Sequence, residues 1–291
     1  MKPAPFEHHA PTTVAEATAL LADLGDAKVL AGGQSLIPML ALRLTGFEHL
    51  VDIGRIPELV GIERRGDSVW IGAGTTEAAV EHSPEVAAGV PLLAKASPYV
   101  GHFQIRNRGT IGGVIAHADP AAEYPAVALA LDATMEAAGP SGRRTIAAAD
   151  FFDGLWSTAL EPEELLVGVS FPVWGPRSGF AVEELARRHG DFAIAGAVVG
   201  VQLDAADQVL RCAIGLIGMG STPIRAGAAE ALAVGNGAGV VDAEAVGRAA
   251  VDDLDNVPSD LHGTADYRRK VAAVMVERAF ASAVSDARSA A

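Results

Sequence analysis

The sequence has a single cysteine, Cys212, among its 291 residues. A disulfide needs two thiols, and an iron–sulfur cluster held by one chain needs about four. Neither can form from this chain alone, so any redox chemistry here must use a group other than the protein's own sulfur. Cys212 lies in an apolar segment, and we expect it to be a small buried residue.

Basic residues and long apolar runs are also scarce. The chain has 22 Lys and Arg against 36 Asp and Glu, a formal net charge of −14, which argues against nucleic acid as a partner because phosphates would be repelled. No stretch approaches the ~20 apolar residues that cross a bilayer, so we expect no integral membrane segment. Residues 1–9 lack the apolar core of a signal peptide, and we expect a cytoplasmic protein.

The first half of the sequence has a regular succession of helix and strand signals. Thr13 and Glu16 have the spacing of a capping box, which predicts a helix start. Ser35 is a candidate cap for a second helix over 36–44. The glycine-rich segment 101–120 has little periodicity and predicts a long loop, of the kind that often carries function.

A Pro/Gly break over 172–178 predicts a domain boundary. Beyond it, apolar segments predict three strands, and helices are predicted over 224–233, 243–254 and 267–285. Half of all residues are apolar, which is enough to form sizeable cores, and the length suits two domains. The second part of the chain therefore reads as a small sheet covered by helices.

Two glycine-rich segments, Leu30–Leu36 and Gly109–Val114, could bind an anion. Paired glycines remove the Cβ atoms that would keep a ligand from the backbone, and they permit positive φ. Successive N–H groups can then converge on an anion such as a diphosphate. Either pair taken alone could equally be an ordinary tight turn.

The competing interpretation is a dinucleotide-binding βαβ unit. Gly72–Glu77 and Gly218–Pro223 each begin with the spacing of that fingerprint, but both lack its third glycine. Neither is followed by a clear βαβ unit with an acidic residue about 20 positions later. We therefore reject a Rossmann domain.

Five motifs carry a family resemblance: Ala31–Pro38 (AGGQSLIP), Ile105–Gly113 (IRNRGTIGG), Ala116–Glu123 (AHADPAAE), Arg188–Ala193 (RHGDFA) and Gly218–Arg225 (GMGSTPIR). In this order, over nearly the whole chain, they closely resemble the FAD-binding medium subunit of molybdenum hydroxylases. That group includes carbon monoxide dehydrogenase, xanthine dehydrogenase and nicotine dehydrogenase. Carbon monoxide dehydrogenases usually carry His where this chain has Gln34, so carbon monoxide is the less expected substrate.

The resemblance implies an α+β fold of two domains. Residues 1–175 would form a vanillyl-alcohol-oxidase (PCMH)-type FAD-binding domain, with subdomains of about 1–55 and 56–175. Residues 176–291 would form a C-terminal domain like that of the carbon monoxide dehydrogenase flavoprotein, with a small antiparallel sheet and helices.

The resemblance also implies cofactor-binding residues. The diphosphate of FAD would lie on two segments, formed by Val29, Leu30, Ala31, Gly32, Gly33, Gln34, Ser35 and Leu36, and by Thr110, Ile111, Gly112, Gly113 and Val114. Asp119 and Glu123 would lie near the ribose and adenine, and Val100 and Leu166 would pack against the cofactor. No catalytic residue is implied. No metal site is predicted either, because neither His117 with Asp119 nor His8 with His9 has an evident third ligand.

The implied function is electron transfer through FAD to an external acceptor. Electrons would come from two [2Fe–2S] clusters on a small partner subunit, after hydroxylation at a molybdopterin centre on a large one, in a dimer of heterotrimers. Two alternatives remain open from the sequence. One is a self-sufficient flavin oxidase or dehydrogenase of the same fold, acting on a small alcohol or amine. The other is an assembly protein that has lost the cofactor.

Overall fold

The structure, a computed structural model, describes residues 2–290. The strands, β1 to β14 in chain order, are Glu7–His9, Ala27–Leu30, His49–Asp52, Ile62–Arg65, Ser68–Gly72, Thr134–Gly139, Gly142–Ala147, Phe152–Gly154, Ser157–Thr158, Leu165–Pro172, Ser178–Leu185, Ala195–Leu203, Val209–Ile217 and Ile224–Arg225. The helices, α1 to α12, are Val14–Asp23, Leu36–Ala41, Glu77–Glu81, Pro84–Gly89, Pro91–Ala96, Phe103–Arg106, Ile111–His117, Glu123–Ala130, Ala148–Phe151, Gly227–Ala233, Ala243–Ala249 and Ala265–Ser289.

The first sheet consists of three parallel strands in the order β1-β3-β2. Helix α1 begins as predicted, because the Thr13 hydroxyl accepts a hydrogen bond of 3.1 Å from the Glu16 amide. The Glu16 carboxylate accepts from the amide and hydroxyl of Thr12, one residue before the position that a capping box uses. Ser35 has helical backbone angles and makes no side-chain cap, so that prediction is wrong, and α2 ends at Ala41.

The second sheet is antiparallel and has five strands in the order β4-β5-β10-β6-β7. Its central strand, β10, is nearly continuous in apolar residues because both of its faces are covered. Leu165 and Val167 pack in one core with α1, and Leu166, Val169 and Phe171 belong to a larger core with α7 and α8. Residues of this one short strand therefore contribute side chains to two different apolar cores.

The third sheet is antiparallel, with the order β11-β12-β13-β14, and α12 covers it. The helix lies very close to β11 because Gly179 has no side chain: a Cβ there would lie 2.1 Å from the Ala283 carbonyl oxygen. The helix predicted over 224–233 begins only at Gly227, since Ile224 and Arg225 pair with β13 as the edge strand.

The long loop predicted over 101–120 is wrong, because this segment contains α6 and α7. Both are short helices without the apolar periodicity that identifies a helix from sequence. Tertiary contacts hold them instead. Arg106 is 8% exposed and pairs with Glu81 through two hydrogen bonds of 2.7 and 3.1 Å. Ala118, in the left-handed region at φ +53°, ends α7.

The α+β class predicted from the sequence is confirmed, with the small antiparallel sheet and helices in the C-terminal part. The domain boundary at 175 stays a prediction, since the largest apolar cluster contains Val69 and Phe171 from one side and Val182 and Val198 from the other. No helix within residues 2–290 is long and apolar enough to cross a membrane.

Candidate cofactor-binding site

A cavity of about 610 Å³ lies between the loop after β2, helix α7 and the segment 156–166. Its size is within the range of about 300–1,000 Å³ that is typical of small-molecule sites. The predicted cofactor-binding residues that line it are Val29, Ala31, Gly32, Gly33, Gln34, Ser35, Leu36, Thr110, Gly112, Gly113, Val114 and Leu166. The structure thus brings both glycine-rich segments and Leu166 to one cavity.

The other predicted residues do not line this cavity: Leu30, Val100, Ile111, Asp119 and Glu123. Val100 and Glu123 are buried, at 7% and 5% exposure. Asp119 lies behind the wall, where its carboxylate accepts a hydrogen bond of 3.2 Å from the indole of Trp156. Cofactor contact stays a prediction for these five residues, as it does for the twelve that line the cavity.

The two segments meet at Gly32. A Cβ atom on this residue would lie 2.1 Å from the carbonyl oxygen of Arg108 and 2.7 Å from the Cα of Gly109. Real Cβ atoms do not approach backbone this closely, so only glycine permits the loop after β2 to lie against the start of the second segment. Gly112 is held in the same way, with its missing Cβ 2.3 Å from the Cβ of Ala73.

The two segments differ in their free hydrogen-bond donors. In the second, Ile111, Gly112 and Gly113 donate their amides to Thr75 O, Ala73 O and Thr110 Oγ1. In the first, the amides of residues 32–36 have no acceptor within the part of the chain that the structure describes. Backbone donors that the fold does not use are available to an anion. The first loop is therefore the segment whose backbone donors are available to an anion, and the second segment packs against it.

Gln34 braces this loop, because its side-chain amide donates to the Gly32 carbonyl oxygen at 3.0 Å. Gln34 thus has a local structural use here, because the bond lies within the turn that carries the five amides without an acceptor.

Thr110 connects the loop geometry to the stability of α7. Its hydroxyl accepts the Gly113 amide at 3.0 Å and caps the helix, and the residue is 8% exposed. We expect Thr110→Val to lower the free energy of unfolding by about 1–2 kcal/mol, as loss of a cap does, while Thr110→Ser stays within about 0.5 kcal/mol. Urea unfolding of both variants measures this, and equal losses in the two would contradict the capping role.

Sequence reasoning missed the cavity wall formed by residues 156–162. Trp156 lines the cavity and stacks on His117, with ring centroids 6.3 Å apart and planes 12° from parallel. Its backbone is in the left-handed region at φ +57°, which is rare for a bulky residue and marks local strain. A lone tryptophan next to an apolar residue offers no sequence signal for such a position.

Burial favours a neutral imidazole at the wall of the cavity. Burial lowers the pKa of His117, and Lys28 lowers it further, against the opposing effect of Asp119. Glu164 also lines the cavity, but its carboxylate is held by Arg144 at 2.7 Å. Near neutral pH, His117 is thus a hydrogen-bonding group rather than a cation.

Buried carboxyl groups lie behind the second segment. Burial first, and then the nearby charge of Glu123, raise the pKa of Glu77 to about 8. One of its carboxyl oxygens has no hydrogen-bond partner, and the side chain lies against Gly109. Burial also raises the pKa of both Glu123 and Glu184, which are hydrogen-bonded to each other. Glu77 is therefore largely protonated at neutral pH, and the three carboxyl groups belong to the packing.

A second cavity, of about 750 Å³, adjoins the first: Leu155 lines the second and its neighbour Trp156 the first. Its lining includes Phe192 and Gly218. These residues belong to the sequence motifs Arg188–Ala193 and Gly218–Arg225. Its buried side is closed by Arg268, which is 5% exposed and donates to Asp260 at 2.7 Å. Phe192 is 64% exposed at its rim.

Comparison with known proteins identifies the family. Residues 4–174 match the FAD binding domain in molybdopterin dehydrogenase, and residues 180–283 match the CO dehydrogenase flavoprotein C-terminal domain. The 6-hydroxypseudooxynicotine dehydrogenase complex subunit alpha of Paenarthrobacter nicotinovorans is 43% identical over 99% of this chain and 97% of its own. The carbon monoxide dehydrogenase medium chain of Hydrogenophaga pseudoflava is also 43% identical, over 97% and 98%.

The fold agrees with the sequence match. A crystal structure of the Hydrogenophaga pseudoflava carbon monoxide dehydrogenase contains a chain that superposes with a TM-score of 0.95, at 44% identity, over 98% of this chain and 99% of that one. Similarity at this level covers both domains. This chain belongs to the family of FAD-binding medium subunits of molybdenum-dependent dehydrogenases.

Proposed function

We propose that this chain is the electron-transfer subunit of a molybdenum hydroxylase composed of three kinds of subunit. Electrons from a molybdopterin centre on a large partner would pass through [2Fe–2S] clusters on a small partner to FAD on this chain, and then to an external acceptor. The observation that carries the proposal is the loop of residues 32–36, with five free backbone amides at the wall of a cavity. FAD, when bound, supplies the ability to accept and release one or two electrons.

The chain's own residues bind and position. The amides of residues 32–36 would hold the diphosphate, since backbone donors need no side-chain charge to bind an anion. Leu166 and Val114 form an apolar part of the cavity wall. The stacked rings of Trp156 and His117 line another part of it. Residues outside the first cavity, such as Asp119, would act through the wall by holding Trp156.

We infer that the organic substrate is selected on another subunit. The chain is equally similar, at 43% identity, to a subunit of a 6-hydroxypseudooxynicotine dehydrogenase and to one of a carbon monoxide dehydrogenase. 6-Hydroxypseudooxynicotine and carbon monoxide share no recognition chemistry, so a scaffold common to both enzymes is not expected to contain the substrate pocket. This favours the three-subunit proposal over a self-sufficient oxidase.

The test is affinity purification of the tagged chain from its native cells, with a visible spectrum and metal analysis. We expect one large and one small partner, flavin absorption near ~450 nm, iron and molybdenum. The chain made alone and loaded with FAD should not be reduced by small alcohols or amines.

Two results would contradict the proposal. A yellow protein that purifies alone, and whose flavin is bleached by an alcohol or amine, would establish the self-sufficient oxidase. A chain that stays colourless with excess FAD would establish the assembly protein instead.

A further inference from the structure

The first parallel sheet places three metal-ligating side chains together at its edge. Successive residues of a strand point to opposite faces, so Glu7 and His9 share one face of β1 while His8 lies on the other. Parallel pairing sets Glu7 beside His49 of β3. Sequence alone offers only the adjacent pair at positions 8 and 9, and the sheet register supplies the third ligand.

The distances suit a metal ion. His9 Nε2 and His49 Nδ1 are 3.2 Å apart, and the Glu7 carboxylate lies 3.6 Å from His49 Nδ1 and 4.0 Å from His9 Nε2. Three atoms with these separations lie on a circle with a radius of about 2.1 Å, which equals the usual Zn–N and Zn–O bond lengths of about 2.0–2.2 Å. Within residues 2–290 this is the one group of three His, Cys, Asp or Glu residues whose ligand atoms all lie within 4.8 Å of one another.

The two histidines are more buried than the glutamate, as expected for a site with two fixed ligands and one adjustable ligand. His9 and His49 are 23% and 18% exposed, so the sheet holds their rings in place, whereas Glu7 is 74% exposed and can adjust to an ion. On the opposite face, the ring of His8 donates to the Asp52 carboxylate at 3.1 Å. That pair has no third ligand within the described residues.

We propose that Glu7, His9 and His49 form a binding site for a divalent transition-metal ion of the zinc type, with water completing the coordination. Two imidazoles and a carboxylate are ligands that zinc accepts in proteins. Without an ion, the short contact between the two rings is a single shared hydrogen bond. The metal would replace that bond by coordination from both rings.

The ion would strengthen the attachment of β1 to β3 within the sheet. β1 has only three residues and lies at the edge, bonded to β3 alone. A ligand that binds only the folded state stabilises it, and here two of the ligands lie on β1 and one on β3. The site lies at the beginning of the parallel strands, and the loop of residues 32–36 follows the other end of β2. The role is therefore structural, and its argument does not use the proposed function.

The test is calorimetric titration of the metal-free full chain with Zn²⁺ after removal of any affinity tag. We expect saturable binding of one ion per chain in the micromolar range or tighter. His9→Gln and His49→Gln should each weaken it by more than about tenfold, since even partners outside the ligand shell are worth about 10–100-fold. His8→Gln is the matched control and should bind as the unaltered chain does.

Hydrogen exchange provides the second measurement. The Glu7 amide donates to Glu48 O at 2.8 Å, and Zn²⁺ should slow its exchange in the unaltered chain and in His8→Gln, but not in His9→Gln. Circular dichroism of each variant should match the unaltered chain. Absence of saturable binding, or equal loss in His8→Gln and His9→Gln, would overturn the proposal and leave a hydrogen-bonded histidine pair.

Discussion

Replacement of Gly32 by alanine is expected to lower FAD affinity by up to about 100-fold. The added Cβ would lie 2.1 Å from the carbonyl oxygen of Arg108, with the Cα of Gly109 2.7 Å away. Both obstacles are backbone atoms that cannot rotate away, so the two segments must separate. Overpacking of this kind costs about 1–3 kcal/mol, which is about 10- to 100-fold when it falls on the binding site.

The measurement is titration of the metal-free, FAD-free chain with FAD, followed by flavin fluorescence or absorbance. Gly25→Ala is the matched control, since a Cβ at Gly25 meets no atom within 4 Å, and it should bind FAD normally. Circular dichroism and urea unfolding distinguish loss of the cradle from loss of the fold. Normal FAD affinity in Gly32→Ala would show that the diphosphate does not lie on this loop.

The second large effect is on the pH dependence of stability, through Glu77. Burial raises the pKa of this carboxyl group from 4.5 to about 8 in the folded chain. Between those values the folded state holds a proton that the unfolded state has released. The contribution of Glu77 to stability is therefore greatest below about pH 4.5, and it falls as the pH rises toward 8 by up to about 1.4 kcal/mol per pH unit.

Glu77→Gln removes the titration while keeping the shape of the side chain. We expect the variant to have a flatter pH dependence than the unaltered chain and to be the more stable of the two near pH 8. The remaining slope would come from Glu123 and Glu184, whose pKa values are also raised by burial.

The measurement is urea unfolding at several pH values between 5 and 8.5. Glu63→Gln is the control, because the Glu63 side chain is 58% exposed and pairs with Arg65 at the surface, and it should leave the profile unchanged. Parallel profiles for Glu77→Gln and the unaltered chain would mean that Glu77 is ionised in the folded state.

Family, fold class and flavin chemistry could be predicted from the sequence because they depend on local signals. A cap at Thr13, apolar strands and paired glycines at 32 and 33 act within a few residues, and their physical effects do not need the rest of the chain. The order of the motifs then identified the family. The single cysteine excluded a self-contained iron–sulfur cluster by simple counting.

Tertiary structure alone decided which of the two glycine segments has free donors. Both segments contain a glycine pair, but the Ile111 and Gly112 amides of the second donate to Thr75 and Ala73, 36 and 39 residues earlier in the chain. Sequence patterns do not indicate which backbone groups a distant strand will satisfy. For the same reason, the burial of Glu77 could not be predicted.

The proposed metal site likewise depends partly on what the sequence predicts and partly on what only the folded sheet determines. His8 and His9 are neighbours in the sequence, but the pleat of β1 separates them onto opposite faces, and the pairing with β3 brings His49, 40 residues away, to one of them. Alternation along a strand follows from backbone geometry and can be predicted from sequence. Register between strands depends on how both are buried, and only the assembled sheet determines it.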